Sequence, residues 1–384
     1  MNKSDSFNQN NEAPASAAPK KARNIGADVV RCIACFSVVS VHFFHNNGFY
    51  ENIVAGRRMY IMMLLRSFFV ICVPLFMLLS GYLMRNKKPS VEYYKKLGKT
   101  IFTYVLASGA CILYSALFLK ETWSAANVIF GILDYTASPY AWYVEMYIGL
   151  FLLIPFLNIL YNNIPSKNLK KVLLLALIIS TILPSVLNTF DINGESWWKN
   201  PAMYASYNKL IPSYWTAMYP LTYYFIGCYL AEYGINIKKG LNALMIIATV
   251  LVFGTFCFWR SYNSVYIWGE WGTYSSLFVL ILSVLVFTFF INLNYSKVPK
   301  WLQAVFKKIS ALSFGVYLVS WIFDNAFYPY LLQKVPQMTD RLPYYFVMVP
   351  LVFVCSLLLS WVIELVQNAV GLIRFKKIKK EEIS

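Results

Sequence analysis

Two histidines stand in this chain, His42 and His45, and both follow Asp28 and Arg31 within one apolar run. Spacing ties the four together. At 100° per residue, the 11 positions from Arg31 to His42 amount to three helical turns plus about 20°, so the two side chains face the same way, about 16 Å apart. Asp28 lies three positions before Arg31 and His45 three after His42, which puts all four near one stripe and allows an Asp28–Arg31 ion pair. Imidazole is suited to proton transfer near neutral pH, and an ionisable group at lipid depth is costly enough to mark a functional candidate. Arg66, Glu145, Asp324 and Glu364 are the others of that kind. A plainer reading stands beside this one: a charge pair that closes a helix bundle, with interfacial histidines at a span end.

The elements that must carry the stripe are membrane helices. Of 384 residues, 59% are apolar, 18% aromatic and 13% charged, against roughly 25% charged in a soluble domain, which excludes an ordinary soluble enzyme. At about 20 apolar residues per crossing the chain yields an all-α polytopic membrane protein of about ten transmembrane helices. The spans fall at roughly 27–45, 61–84, 99–119, 141–160, 171–188, 217–233, 241–259, 272–293, 309–330 and 342–372. Segments assigned inside hold 24 of the 34 Lys and Arg, those assigned outside hold eight, and Arg31 and Arg66 lie within spans. By the positive-inside rule both termini are then cytoplasmic. The net charge of +17 therefore reflects loops rather than a basic face, and no nucleic-acid partner is expected. Residues 1–24 read as a disordered cytoplasmic tail without a signal-peptide core, 25–372 as the transmembrane domain and 373–384 as a basic cytoplasmic tail.

The seven cysteines all fall within apolar runs, so no disulfide framework is expected, and Cys32-x-x-Cys35 reads as helix packing rather than redox or zinc chemistry. Two histidines near one span end are too few for a catalytic metal, and none is expected. There is no G-x-S-x-G, Walker loop or H-E-x-x-H. Trp197, Trp198, Tyr204, Tyr207, Tyr214 and Trp215 in the long outer loop favour an interfacial belt over a sugar-stacking role.

Asp28-Val-Val-Arg31, ten residues, then His42 resembles the D-x-x-R-x10-H opening of the acyltransferase-3 family, integral membrane proteins that acylate cell-surface carbohydrates. Further segments agree in order. Phe68 to Leu83 ends in Ser80-Gly81-Tyr82, and a basic loop carries Tyr93-Tyr94-Lys95-Lys96. Trp142-Tyr143 opens the fourth span, Tyr224-Phe225-Ile226-Gly227 sits in the sixth, and Leu312-Ser313-Phe314-Gly315-Val316-Tyr317-Leu318 begins the ninth. The likeness covers about residues 24 to 370. Two departures stand out: Ser320 lies where the family's ninth-span motif usually has a His, and the basic loop has Lys96 and Lys99 in place of arginines before a Pro.

The resemblance implies an O-acyltransferase of the bacterial cytoplasmic membrane. Its donor would be acyl-coenzyme A, most often acetyl, and its acceptor a hydroxyl of a surface polysaccharide or its lipid-linked precursor. No bound cofactor is implied. A cytoplasmic polyanionic donor calls for Lys or Arg at the inner face, here Lys95, Lys96, Lys99 and Arg31, although the lysine run is equally a positive-inside determinant. His42, with Arg31 and Asp28 on its stripe, could act as general base or accept the acyl group itself. Arg66, Trp142, Tyr143, Glu145, Ser320 and Asp324 are cavity candidates, with a buried pairing of Glu145 or Asp324 to Arg66 or a Tyr hydroxyl as the alternative. The rival function is a transporter moving a glycan intermediate or acyl group without covalent catalysis, which the same Arg and His would serve; the two-half repeat common in transporters is not visible.

Overall fold

The computed structural model describes residues 23–204 and 207–381, with side chains described as far as residue 370. Of the expected tails, residues 1–22 and 382–384 fall outside the described residues. The chain is built from α1 (Ile25–Asn46), α2 (Gly56–Phe69), α3 (Cys72–Met84), α4 (Val91–Tyr114), α5 (Ala125–Leu133), α6 (Trp142–Asn162) and α7 (Lys167–Thr181). There follow α8 (Pro184–Leu187), α9 (Tyr219–Tyr233), α10 (Lys239–Arg260), α11 (Leu277–Ile291), α12 (Lys300–Lys334) and α13 (Tyr345–Glu381). The last helix runs on through most of the segment expected as a basic tail.

Among the described residues, nine helical stretches are long and apolar enough to cross a membrane. The other expected crossing, 217–233, is α9, whose 15 residues reach only about 22 Å against a hydrocarbon core of about 30 Å. Two crossings are broken by proline. Pro74 has no N–H for the Val70 carbonyl and its ring crowds that oxygen, so the second crossing divides at Val70–Ile71 into α2 and α3, and Pro184 likewise begins α8.

Helix α1 lies at the centre, 72% of its apolar window buried, whereas α10 is 22% buried and turns most of its surface outward. Helices α3, α11, α12 and α13 surround α1. Small residues bring backbones together, as expected where lipid supplies no hydrophobic drive between helices. A Cβ on Gly81 would stand 1.9 Å from the Tyr224 carbonyl oxygen, and one on Gly227 2.2 Å from that of Leu78, so α3 and α9 cross in direct backbone contact. Cys35 Sγ likewise meets the Ser313 carbonyl of α12 at 3.7 Å.

The two ends of the bundle are tied differently. At the lysine-rich end, Lys170 donates to both Glu232 oxygens at 2.9 Å, Arg85 approaches the same carboxylate at 3.4 Å, and Lys308 pairs with Glu364. At the other end, arginines hold loop carbonyls: Arg341 bonds Asn47, Val335 and Pro336, and buried Arg260 bonds Pro201 and Tyr204. Of the outer-loop aromatics expected as an interfacial belt, Trp197 is instead buried against Arg260, 5.6 Å from its guanidinium, while Trp198, Tyr214 and Trp215 are exposed.

Candidate active site

Asp28 and Arg31 do not pair. Arg23, just ahead of α1, reaches forward and takes the Asp28 carboxylate in a two-pronged contact, Nε to Oδ2 at 2.7 Å and Nη2 to Oδ1 at 2.6 Å. Arg31 instead donates from Nη1 to Ser310 Oγ on α12 at 3.1 Å. It faces a cavity of about 350 Å³ bounded by α1, α3, α4, α6, α12 and α13. Lys99, Thr103, Glu364 and Gln367 stand with Arg31 at the lysine-rich end of the cavity, and Val38, Val73, Phe76, Tyr143 and Tyr317 line it further in. The lining is basic and hydrogen-bonding at one end and aromatic at the other.

One turn beyond Val38 on the same stripe, His42 meets a different setting. Its ring lies against Tyr140, centroids 3.8 Å apart, and its Nδ1 is 3.6 Å from Asp324 Oδ2. That distance is an electrostatic approach, longer than a hydrogen bond. Tyr140 donates its hydroxyl to Asp324 Oδ2 at 2.8 Å and accepts from Asn46 Nδ2 at 3.1 Å, and Asn46 also donates to the His42 carbonyl at 2.8 Å. Asp324 Oδ1 and His42 Nδ1 are buried without a hydrogen-bond partner. An Nδ1 that closed this gap and donated to the carboxylate would leave Nε2 as the basic nitrogen, the arrangement in which a carboxylate fixes the tautomer and orientation of a general base.

Ser320, at the position where a His was expected, donates to the Tyr317 carbonyl at 3.0 Å. Asp324, four residues later and so one turn along the same face of α12, makes the approach to His42 instead. His45 is exposed at the outer edge, its ring 4.9 Å from Tyr50 and 6.3 Å from Trp268.

The remaining candidates scatter. Arg66 is buried away from Asp324 and Glu145, donating to the Gly272 carbonyl at 3.0 Å and lying over the rings of Tyr266 and Trp268. The expected cavity position of Asp324 gives way to a Tyr hydroxyl partner, because Tyr140 and His42 fill the space around it. Glu145 is exposed, and Trp142 is 43% exposed and stacked on Tyr274, so neither lines the cavity. Tyr143 does line it. All three lysines are exposed; Lys99 also lines the cavity, while Lys95 and Lys96, one turn earlier on α4, do not. Among the described residues, no group of three or more His, Cys, Asp or Glu could hold a metal ion.

Sequence reasoning missed Tyr140, Asn46 and Ser310. Tyr140 precedes the first turn of α6 and so carries no helical period. Asn46 offered a usable signal, lying one turn after His42 on the same helix.

No curated protein and no solved structure matches the chain. The acyltransferase-3 family, described as an acyltransferase domain, matches residues 24–361, a stretch that takes in the whole α1 stripe, the cavity except for the end of α13, and Asp324. The chain belongs to the acyltransferase-3 family and is a multi-pass membrane acyltransferase.

Proposed function

We propose that this protein is an O-acyltransferase of the bacterial cytoplasmic membrane, moving an acyl group, acetyl in the first instance, from acyl-coenzyme A to a hydroxyl of a surface polysaccharide or its lipid-linked precursor. The observation that carries the reading is that one helix presents, on one stripe, a cation at the basic end of a cavity and an imidazole beside a carboxylate. The lysine-rich end is taken as cytoplasmic, in keeping with the positive-inside rule. The coenzyme phosphates would be held by Arg31 and Lys99 at the cavity, with Lys95 and Lys96 on the exposed turn outside it. Ser310 orients Arg31, and the pantetheine arm lies along the cavity with its thioester toward His42.

In the transfer step His42 Nε2 takes the proton of the acceptor hydroxyl as its oxygen attacks the thioester carbonyl. The new carbon–oxygen ester bond forms, the carbon–sulfur bond breaks, and the imidazolium returns the proton to the departing coenzyme thiolate. Asp324, held by Tyr140, keeps the ring oriented and faces the positive charge that develops on it.

The test compares surface glycans, by mass spectrometry, from cells with and without the gene, alongside label transfer from radiolabelled acetyl-coenzyme A by the purified protein in micelles supplied with glycan from the deletion strain. The reading expects an acyl mass present only with the gene, and acid-stable label on the glycan. Glycans of identical mass and no label transfer would overturn this choice of donor and acceptor.

A further inference from the structure

The imidazole does not line the cavity. On α1 the lining ends at Val38, one turn or about 6 Å short of His42. Tyr143 of α6 and Tyr317 of α12 line the cavity at this inner end. Their rings meet edge to face, centroids 5.9 Å apart, and the Tyr143 backbone N–H points at the Tyr317 hydroxyl oxygen, 3.4 Å away. Phe76 of α3 stands against Tyr143 at 6.0 Å, and both tyrosines are less than a tenth exposed while lining the cavity.

The helix registers give the order along the path. Tyr317 lies seven residues before Asp324, on the same face of α12 and about 10 Å nearer the lysine-rich end. Tyr143 lies three residues after Tyr140, and α6 runs toward that same end. Tyr143 therefore sits one turn below Tyr140, on the way to the imidazole, and Tyr317 two turns below Asp324, no higher than Val38, at the inner end of the cavity. Both belong to the segments in which the sequence resembles its family, Trp142-Tyr143 and Leu312 to Leu318.

We infer that Tyr143 and Tyr317 form an aromatic cap on the donor cavity and set the longest acyl group the protein accepts. The inference rests on the acyl-coenzyme A reading above. With the arm of the donor filling the cavity, the acyl group is the part that meets the two rings. A two-carbon group needs only a small turn of the rings to reach His42. A longer chain finds its further methylenes directed at Tyr143, Tyr317 and the packed rings of His42 and Tyr140. Reducing either tyrosine to a small residue extends the cavity past Val38 and admits that chain.

The experiment measures kcat/KM for transfer from acetyl-, butyryl- and hexanoyl-coenzyme A by the full-length protein in micelles, with the deletion-strain glycan as acceptor. The variants are Tyr317→Ala, Tyr143→Ala, Tyr317→Leu and Tyr317→Phe. A methylene accepted or refused by an apolar pocket changes specificity about 10- to 200-fold. The wild type should favour acetyl over hexanoyl, and each Ala variant should raise the hexanoyl-to-acetyl ratio at least about tenfold. Tyr317→Phe, which keeps the ring, should keep the wild-type ratio. Tyr317→Leu preserves apolar filling and should give an intermediate ratio, and it replaces Tyr317→Ala where that variant fails to fold. A wild type that uses all three donors equally, or small-residue variants with an unchanged ratio, would overturn the cap. A wild type that transfers no acyl group from any donor would instead overturn the acyl-coenzyme A reading on which the cap rests.

Discussion

The two ends of the α1 stripe differ in what surrounds them. Arg31 makes one hydrogen bond, to Ser310, and otherwise faces about 350 Å³ of open space shared with Lys99 and Gln367. Eleven residues on, His42 faces packed neighbours: the Tyr140 ring lies 3.8 Å from its own, and Asp324 and Asn46 are bound to that tyrosine. Space beside a cation suits a group that arrives and leaves, whereas a packed imidazole suits a reaction whose geometry must be set beforehand. On the proposed function one helix separates binding from chemistry by about 16 Å, and changes at its two ends should show up in different kinetic constants.

The largest effect is expected where both ends lose their frame. Gly81→Leu would drive a side chain into the Tyr224 backbone, since even a Cβ there meets its carbonyl oxygen at 1.9 Å. Overpacking commonly costs 1–3 kcal/mol, occasionally more, and rigid backbone leaves little room for relief. Gly81→Leu protein should elute as aggregate, or melt well below the wild type, by size-exclusion and thermal unfolding in detergent.

Next in size is Asp324→Asn, which keeps the shape and removes the charge facing His42. A mispositioned general base forfeits up to the about 10²–10⁴-fold that such catalysis supplies. The expectation is a fall of about 10²-fold in kcat with the donor KM nearly unchanged; a rise in KM alone would blur the distinction between the ends. Lys99→Gln should do the reverse. A charge-assisted contact worth about 1.5–3 kcal/mol would raise the donor KM about 10- to 150-fold with kcat held. Lys95→Gln and Lys96→Gln, outside the cavity lining, should each give a smaller rise, and equal effects from all three would argue against a special place for the cavity.

Much of this arrangement was legible in the sequence because helical periodicity is a strong signal. Apolar runs marked the crossings, and the 11-residue interval from Arg31 to His42 put both on one stripe, as they are. The expected Asp28–Arg31 pair failed for a local reason: Arg23, outside the apolar run, reaches the same carboxylate from the helix start. The short α9 was not legible, since hydropathy averages over a window; the prolines were visible, but a span can pass through one, as α6 does through Pro155, or divide, as the second crossing does ahead of Pro74. Contacts between helices were least accessible. Tyr140 lies in a turn with no period to read, and Asp324, although recognised as an ionisable group at lipid depth, acquires its partners only when α12 packs against α1.

The central claim is that His42 carries the chemistry, and paired histidine variants test it most directly. Label transfer from radiolabelled acetyl-coenzyme A to glycan should be measured for wild type, His42→Ala and His45→Ala, with each protein's thermal unfolding recorded alongside. The account predicts that His42→Ala loses about 10²–10⁴-fold in rate while still unfolding cooperatively, and that His45→Ala, exposed and one turn further out, keeps most of the wild-type rate. A His42→Ala protein that transfers label at the wild-type rate would contradict the account.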